Sequence, residues 1–352
     1  MRLSLRLTIP LASLVATAAA YTGYWFYEAG VVRDGLAAWT EARRAEGYTV
    51  AYDPPTVSGF PRQLRLRLDH PSIEAAGKAW RWTGDSTVAE ARPWAIRRVA
   101  VHPIGRQEIS FPAGGGPGTI VASAAQSTLL VDANEHGRLG SASLDAEGVT
   151  ITVATAPGPF GAQHLHLDLA ANTNGGQASE TKSPQLPPSW SFALNLQDLT
   201  LPQAAGGALG PQVRWFTIKA QLLGTVDGPT PFQAFAAWRD SGGTAELQSF
   251  SLAWGPLQIS GNATLALDPA MQPEGAGTAQ IRGFAETIDA LIAERLVKPD
   301  AGTIAKAALG LIAKTPPEGG PKVLTAPLTI EKQTLYAGPI GLLKIPPIRW
   351  AR

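Results

Sequence analysis

Leu64-Arg65-Leu66-Arg67-Leu68-Asp69 decides the fold. Leucine alternates with charge at every step. Successive side chains of a β-strand point to opposite faces, so this hexapeptide packs on a core with one face and meets water with the other. The same period of two returns at 163–170 (QHLHLDLA), 191–201 (SFALNLQDLTL) and 213–223 (VRWFTIKAQLL). Residues 48–52, 91–102, 127–131, 141–154, 244–254, 257–267 and 277–282 extend the series, and 324–331 and 334–345 close it. Gly, Pro, Asn and Asp fill the intervals, as turns between antiparallel strands require. The stretches 113–118 and 171–188 read as loops. The predicted body is mainly β, a β-rich α+β fold of curved antiparallel sheet.

Two stretches of helical period interrupt the strands. Residues 284–297 place Ile288, Leu291, Ile292 and Leu296 on one face, and 302–314 place Ile304, Ala308, Leu311 and Ile312 together. Pro299 falls between them, so a helical pair is expected over 284–314.

The chain begins differently. Arg2 and Arg6 precede a run, Leu7 to Tyr27, with no ionisable side chain except tyrosine. Such a run is about long enough to cross a hydrocarbon core of roughly 30 Å as a helix. Positive charge ahead of it keeps the terminus cytoplasmic and exports the remainder of the chain. Tyr21, Tyr24, Trp25, Phe26 and Tyr27 cluster at the exit end, where amphipathic rings favour the headgroup layer. Residues 1–27 are therefore read as a transmembrane anchor. The competing reading is a signal peptide cleaved at Ala16-Thr17-Ala18 or Ala18-Ala19-Ala20. Residues 28–47 form an amphipathic juxtamembrane helix with Gly47 as its C-cap. Residues 48–352 form the exported domain, in one body or in two halves parting near 177–189. The location implied is a membrane crossed once, with the domain on its far side, or an exported domain without an anchor if the segment is cleaved.

Composition narrows the function. The chain has 352 residues, with 29 Lys and Arg against 28 Asp and Glu. Near-neutrality without a basic stripe argues against a nucleic-acid partner. There is no cysteine, so disulfides and thiolate chemistry are excluded. No Gly-x-Ser-x-Gly elbow, phosphate-binding loop or His-Glu-x-x-His helix occurs, and the carboxylates are dispersed. No catalytic residue and no cofactor is assigned, and a non-enzymatic role is expected.

His164-x-His166-x-Asp168 places three metal-ligand types on one face of a strand. The alternating Leu165, Leu167 and Leu169 already account for it as the wet side of a sheet, and no metal is assigned. His70, His102 and His136 stand alone near turns. Ten tryptophans are more unusual. Core packing accounts for most, while Trp94, Trp215, Trp238 and Trp254 are candidates for an apolar surface that takes acyl chains or a partner.

Several stretches together resemble the DUF2125 family. They are Tyr24-Trp25-Phe26, Gly47-Tyr48, Val57-Ser58-Gly59-Phe60-Pro61 before the leucine alternation, Trp254-Gly255-Pro256-Leu257, and Leu335-Tyr336 with Gly338-Pro339-Ile340. The resemblance implies an anchored bacterial envelope protein, at the inner membrane with its domain in the periplasm, with no assigned activity, so no catalytic residue is carried over. The anchor, Gly-Phe-Pro and alternating strands are also reminiscent of AsmA-like envelope proteins, implicated in lipid movement. The expected partners are membrane lipid, held along an apolar β groove, or alternatively an envelope protein assembly.

Overall fold

The structure is a computed structural model that describes residues 5–113, 116–135, 137–172, 186–202, 206–228, 230–317, 319–348 and 350. The chain divides into two compact units. One comprises Met1–Arg138 with Val153–Thr155, the other Leu139–Thr152 with Ala156–Arg352. The units part near residue 138, while 177–189, offered as the division if the domain forms two halves, lies within the second unit. That stretch joins two strands whose register runs from Gly161↔Thr200 to Ala171↔Trp190. Residues 173–185 lie outside the described residues.

The first unit opens with one continuous helix, α1 (Leu5–Ala45), at roughly 1.5 Å per residue about 60 Å long. The segments read as 1–27 and 28–47 run together as one helix, described from Leu5. Nothing at their junction stops a helix: the run across it has no proline, and Gly30 and Gly35 are merely weak helix formers. The helix ends as predicted at Gly47, which has φ +88°. Tyr48 N–H donates to Arg43 C=O and Gly47 N–H to Arg44 C=O, the paired bonds that satisfy the last carbonyls of a helix. Among the described residues no helix is long and apolar enough to cross a membrane.

Eight strands come next: β1 (Thr49–Ala51), β2 (Thr56–Ser58), β3 (Leu64–Asp69), β4 (Ser72–Glu74), β5 (Arg81–Arg92), β6 (Ala95–Ala113), β7 (Gly116–Ser123) and β8 (Gln126–Ala133). β5 lies between β3, β4 and β6, all antiparallel, and β6 also pairs with β7 and β8. β3 has the predicted bounds, with Arg65 and Arg67 exposed and Leu64 buried. Residues 91–102, read as one strand, are two: Pro93 and Trp94 form the turn between β5 and β6. Residues 113–118, read as a loop, contain the ends of β6 and β7; Gly114 and Gly115 lie outside the described residues.

The core of this unit is small. Trp25 and Ala29 of α1 pack on Leu64, with Val32 and Val57 against them. The Gly59-Phe60-Pro61 turn supplies the rim. Gly59 has φ +102°, and a Cβ there would lie 2.8 Å from the Gln63 carbonyl oxygen, so the turn requires glycine.

The second unit is a ten-stranded antiparallel meander: β9 (Leu139–Val153), β10 (Phe160–Ala171), β11 (Pro188–Thr200), β12 (Gln212–Leu223), β13 (Thr244–Trp254), β14 (Leu257–Leu267), β15 (Pro273–Arg282), β16 (Leu324–Glu331), β17 (Thr334–Ala337) and β18 (Ile340–Lys344). Each pairs with the next in sequence. A short helix, α2 (Pro231–Asp240), sits between β12 and β13. Thr230 caps it by accepting from Gln233 N–H, and Pro231 occupies its first turn.

The helical pair is present as α3 (Phe284–Ala293) and α4 (Pro299–Ile312). Pro299 opens α4 rather than merely separating the helices, because its missing N–H costs nothing in a first turn. Gly302 is buried where a Cβ would strike Ile292, and Lys306 pairs with Asp289 across the hairpin. Residues 334–345 are two strands, since Gly338 (φ +56°) turns the chain between β17 and β18.

Candidate functional site

The register of the meander assembles one apolar face. Leu144, Leu167, Leu194 and Ile218 stand in a row across β9 to β12. Phe216, Leu252, Ile259, Ile281 and Leu324 form another across β12 to β16. Ala263, Gly277 and Leu328 form a third. A sheet that formed a closed core would bury such residues. Here Leu194, Phe216, Ile218, Phe250, Leu252, Ile259, Leu328 and Ile330 are all only half-buried. Among the described residues no large side chain of the whole chain is fully buried.

Two cavities lie on this face. One, about 360 Å³, is lined by Phe216, Ile218, Phe250, Ile259, Leu265 and Ile330 over a floor that includes Ala263, Gly275, Gly277 and Ala279. The small residues create the depression. The other, about 430 Å³, is lined by Leu169, Trp190, Phe192, Leu222 and Val226, with Phe235 of α2. Alternation aims polar side chains to the opposite face, so both linings are almost purely apolar.

The four candidate tryptophans do not line either cavity. Trp94 is exposed in the β5–β6 turn of the first unit. Trp215 lies on the face opposite the apolar rows, beside Arg214, whose guanidinium carbon is 4.9 Å from its ring centre. Trp238 is 3% exposed and donates to Leu223 C=O, a packing residue of α2. Trp254 donates to Gly210 C=O. The aromatic lining comes from Trp190, Phe192, Phe216, Phe235 and Phe250. Strand parity held the signal for Trp190, Phe192 and Phe216, which alternate in phase with neighbouring leucines and isoleucines, whereas Phe250 is in phase with Leu252 but, across a bulge, not with Leu247.

The residues expected at a membrane interface divide. Trp25 is 4% exposed and donates to Gln63 C=O, so the protein, not a headgroup layer, surrounds it. Tyr21 donates to Pro61 C=O and Tyr24 to Pro93 C=O. Phe26 and Tyr27 are exposed, and Phe26 stacks on exposed Phe60 with ring centres 6.3 Å apart.

His164, His166 and Asp168 share the polar face of β10, as predicted from alternation. The structure adds Asp145 from β9, which is registered opposite His166. Asp145 Oδ2 lies 3.1 Å from His166 Nδ1 and 3.2 Å from His164 Nε2, and Asp168 Oδ2 lies 2.8 Å from His166 Nε2. Burial disfavours charge on His166, but hydrogen bonds to Asp168 and Asp145 outweigh it, so its pKa is raised above the ordinary imidazole value. Sequence reading missed Asp145, because pairing between β9 and β10 is what brings it in. Of the isolated histidines, His70 pairs with Asp53 at 2.8 Å and His102 lies near Ser127 C=O and Thr128 Oγ1. His136 lies outside the described residues.

The family model for DUF2125, uncharacterized proteins conserved in bacteria, matches residues 25–346. The chain belongs to the DUF2125 family. The DUF2125 match begins at Trp25, the first α1 residue packed in the core, and ends just past β18. It therefore takes in both units and the whole apolar face. No curated protein and no solved structure matches the chain.

Proposed function

We propose that this DUF2125 protein is a non-enzymatic module that binds the acyl chains of lipid along the apolar face of β9–β17. The observation that carries this reading is the pair of cavities with almost no polar lining on a face that is apolar in register yet only half-buried. A small-molecule site normally offers a few converging polar groups for orientation. This face offers almost none, which suits a hydrocarbon chain. Each methylene taken from water contributes about 0.8 kcal/mol, so even part of an acyl chain repays its ordering.

In this role the protein sits at the inner membrane, tethered by the apolar run that ends at Tyr27, with the β units in the periplasm. Supporting this, residues 12–20 of α1 are all exposed, including Leu14 and Val15, and have no protein face to cover them. Phe26, Tyr27 and Phe60 then form an exposed aromatic group at the foot of the first unit.

Native mass spectrometry of the full chain extracted in mild detergent tests this. Bound phospholipid is expected, with occupancy lost in Ile218→Glu and Ala263→Trp. A lipid-free protein, or lipid retained equally by both variants, overturns the proposal.

A second reading, a docking partner in an envelope assembly, is favoured by α4. Ile304, Leu311 and Ile312, which the helical period places together, are 63–86% exposed. Cross-linking from residue 311 in intact cells that captures one reproducible protein, in cells where no lipid co-purifies, favours this reading instead.

A further inference from the structure

Apart from lipid binding, the polar face of β9–β10 carries a cluster with the composition and spacing of a metal centre. We infer that Asp145, His164 and His166 bind a divalent first-row transition ion of the Zn²⁺ type, with Asp168 orienting His166. Two imidazole nitrogens and one carboxylate suit such an ion better than Mg²⁺ or Ca²⁺, which take oxygen ligands.

The geometry is close to what the ion needs. Zn²⁺ bonds nitrogen and oxygen at roughly 2.0–2.1 Å, which puts ligand atoms of a tetrahedral site about 3.3 Å apart. Asp145 Oδ2 already stands 3.1 and 3.2 Å from His166 Nδ1 and His164 Nε2. One ligand atom from each of the three residues lies within 4.8 Å of the others. The remaining adjustment is a closing of the two imidazoles, which are 32% and 38% exposed and have room to turn.

Two neighbours support the ligands. Asp168 Oδ2 holds His166 Nε2 at 2.8 Å. A carboxylate on the far nitrogen of a ligating histidine fixes the tautomer and presents the near nitrogen's lone pair. Asn195 of β11 is registered opposite His166, and its Oδ1 is buried without a hydrogen-bond partner. Its place in the register sets that unpaired acceptor beside the cluster. The ligands come from β9 and β10, so the ion clips two strands on the side opposite Leu165, Leu167 and Leu169.

Titration of the full chain in detergent with ZnCl₂, followed calorimetrically, tests the site. Saturable binding is expected, weakened at least about tenfold in His164→Ala and Asp145→Asn, and about 10- to 100-fold in Asp168→Asn through loss of the orienting carboxylate. His70→Ala serves as the control and is expected to bind as the wild type does. Co²⁺ is expected to give visible bands of tetrahedral coordination that His164→Ala abolishes. Circular dichroism confirms that each variant is folded, and Asp168→Asn leaves the three ligands in place should another variant unfold. No saturable binding, or binding unchanged in these variants, overturns the assignment.

Discussion

At the residue scale, Trp25 shows how one side chain joins helix to sheet. It is buried with Ala29 and Leu64, donates to Gln63 C=O, and meets Phe60 edge-on at 5.6 Å. Truncation leaves a cavity and an unpaired carbonyl. Trp25→Ala is expected to lower stability by about 3–5 kcal/mol, measured by urea unfolding, with Trp25→Phe losing clearly less. A loss under about 1 kcal/mol would show that α1 does not rest on this contact. His70 offers a test by pH. Its hydrogen bond to Asp53, aided by the charge on Asp53, raises its pKa. A raised histidine pKa stabilises the fold fully below the unfolded value of about 6.5 and ceases to do so as pH rises through the folded value. NMR titration is expected to place His70 above the ordinary imidazole value and to return it there in Asp53→Asn. The stability difference between the two proteins is expected to be present near pH 6 and to vanish in alkali. An unshifted His70 would show that the ion pair does not form in solution.

At the element scale, the strands were legible where one face is wet. β3, β13 and β14 have the predicted bounds; β3 and β14 alternate cleanly, and β13 changes phase once, at a bulge between Leu247 and Phe250. β5 was missed, since Thr83-Gly84-Asp85-Ser86-Thr87 is polar on both faces and gives no period. α2 was missed although Thr230, Pro231 and Gln233 form a capping signal, because ten residues offer few turns for a helical period to emerge. For the candidate site, alternation revealed the polar face of β10 and the apolar faces of the strands. It could not show which strands lie side by side, so Asp145 and the cavity floor became visible only through pairing. The helical pair makes its own prediction. Gly302 lets α4 approach Ile288 and Ile292, within 3.2 Å of where a Cβ would stand. Gly302→Leu is expected to cost about 1–3 kcal/mol through overpacking. Faster hydrogen exchange confined to 284–312 is the expected signature. Unchanged exchange there would mean that the two helices do not depend on this approach.

At the scale of the whole molecule, the question is what the apolar face of the meander is for. If it were the interior of a closed core, a charge on it would be buried without a partner, which destabilises severely. If it is an open groove, its side chains are already partly hydrated and a charge there keeps much of its water. Ile218 and Phe250 are cross-strand neighbours on this face and both are half-buried. Ile218→Glu and Phe250→Lys are therefore expected to change unfolding stability by no more than about 1 kcal/mol, while binding of a fluorescent fatty acid falls at least about tenfold. Thr217→Glu, one residue along β12 on the opposite face, is expected to leave binding unchanged. Loss of binding together with collapse of stability in the first two would show a core. Intact stability with intact binding would move the ligand off this face. The two measurements separate these outcomes because alternation puts both substitutions on one side of the sheet and the control on the other.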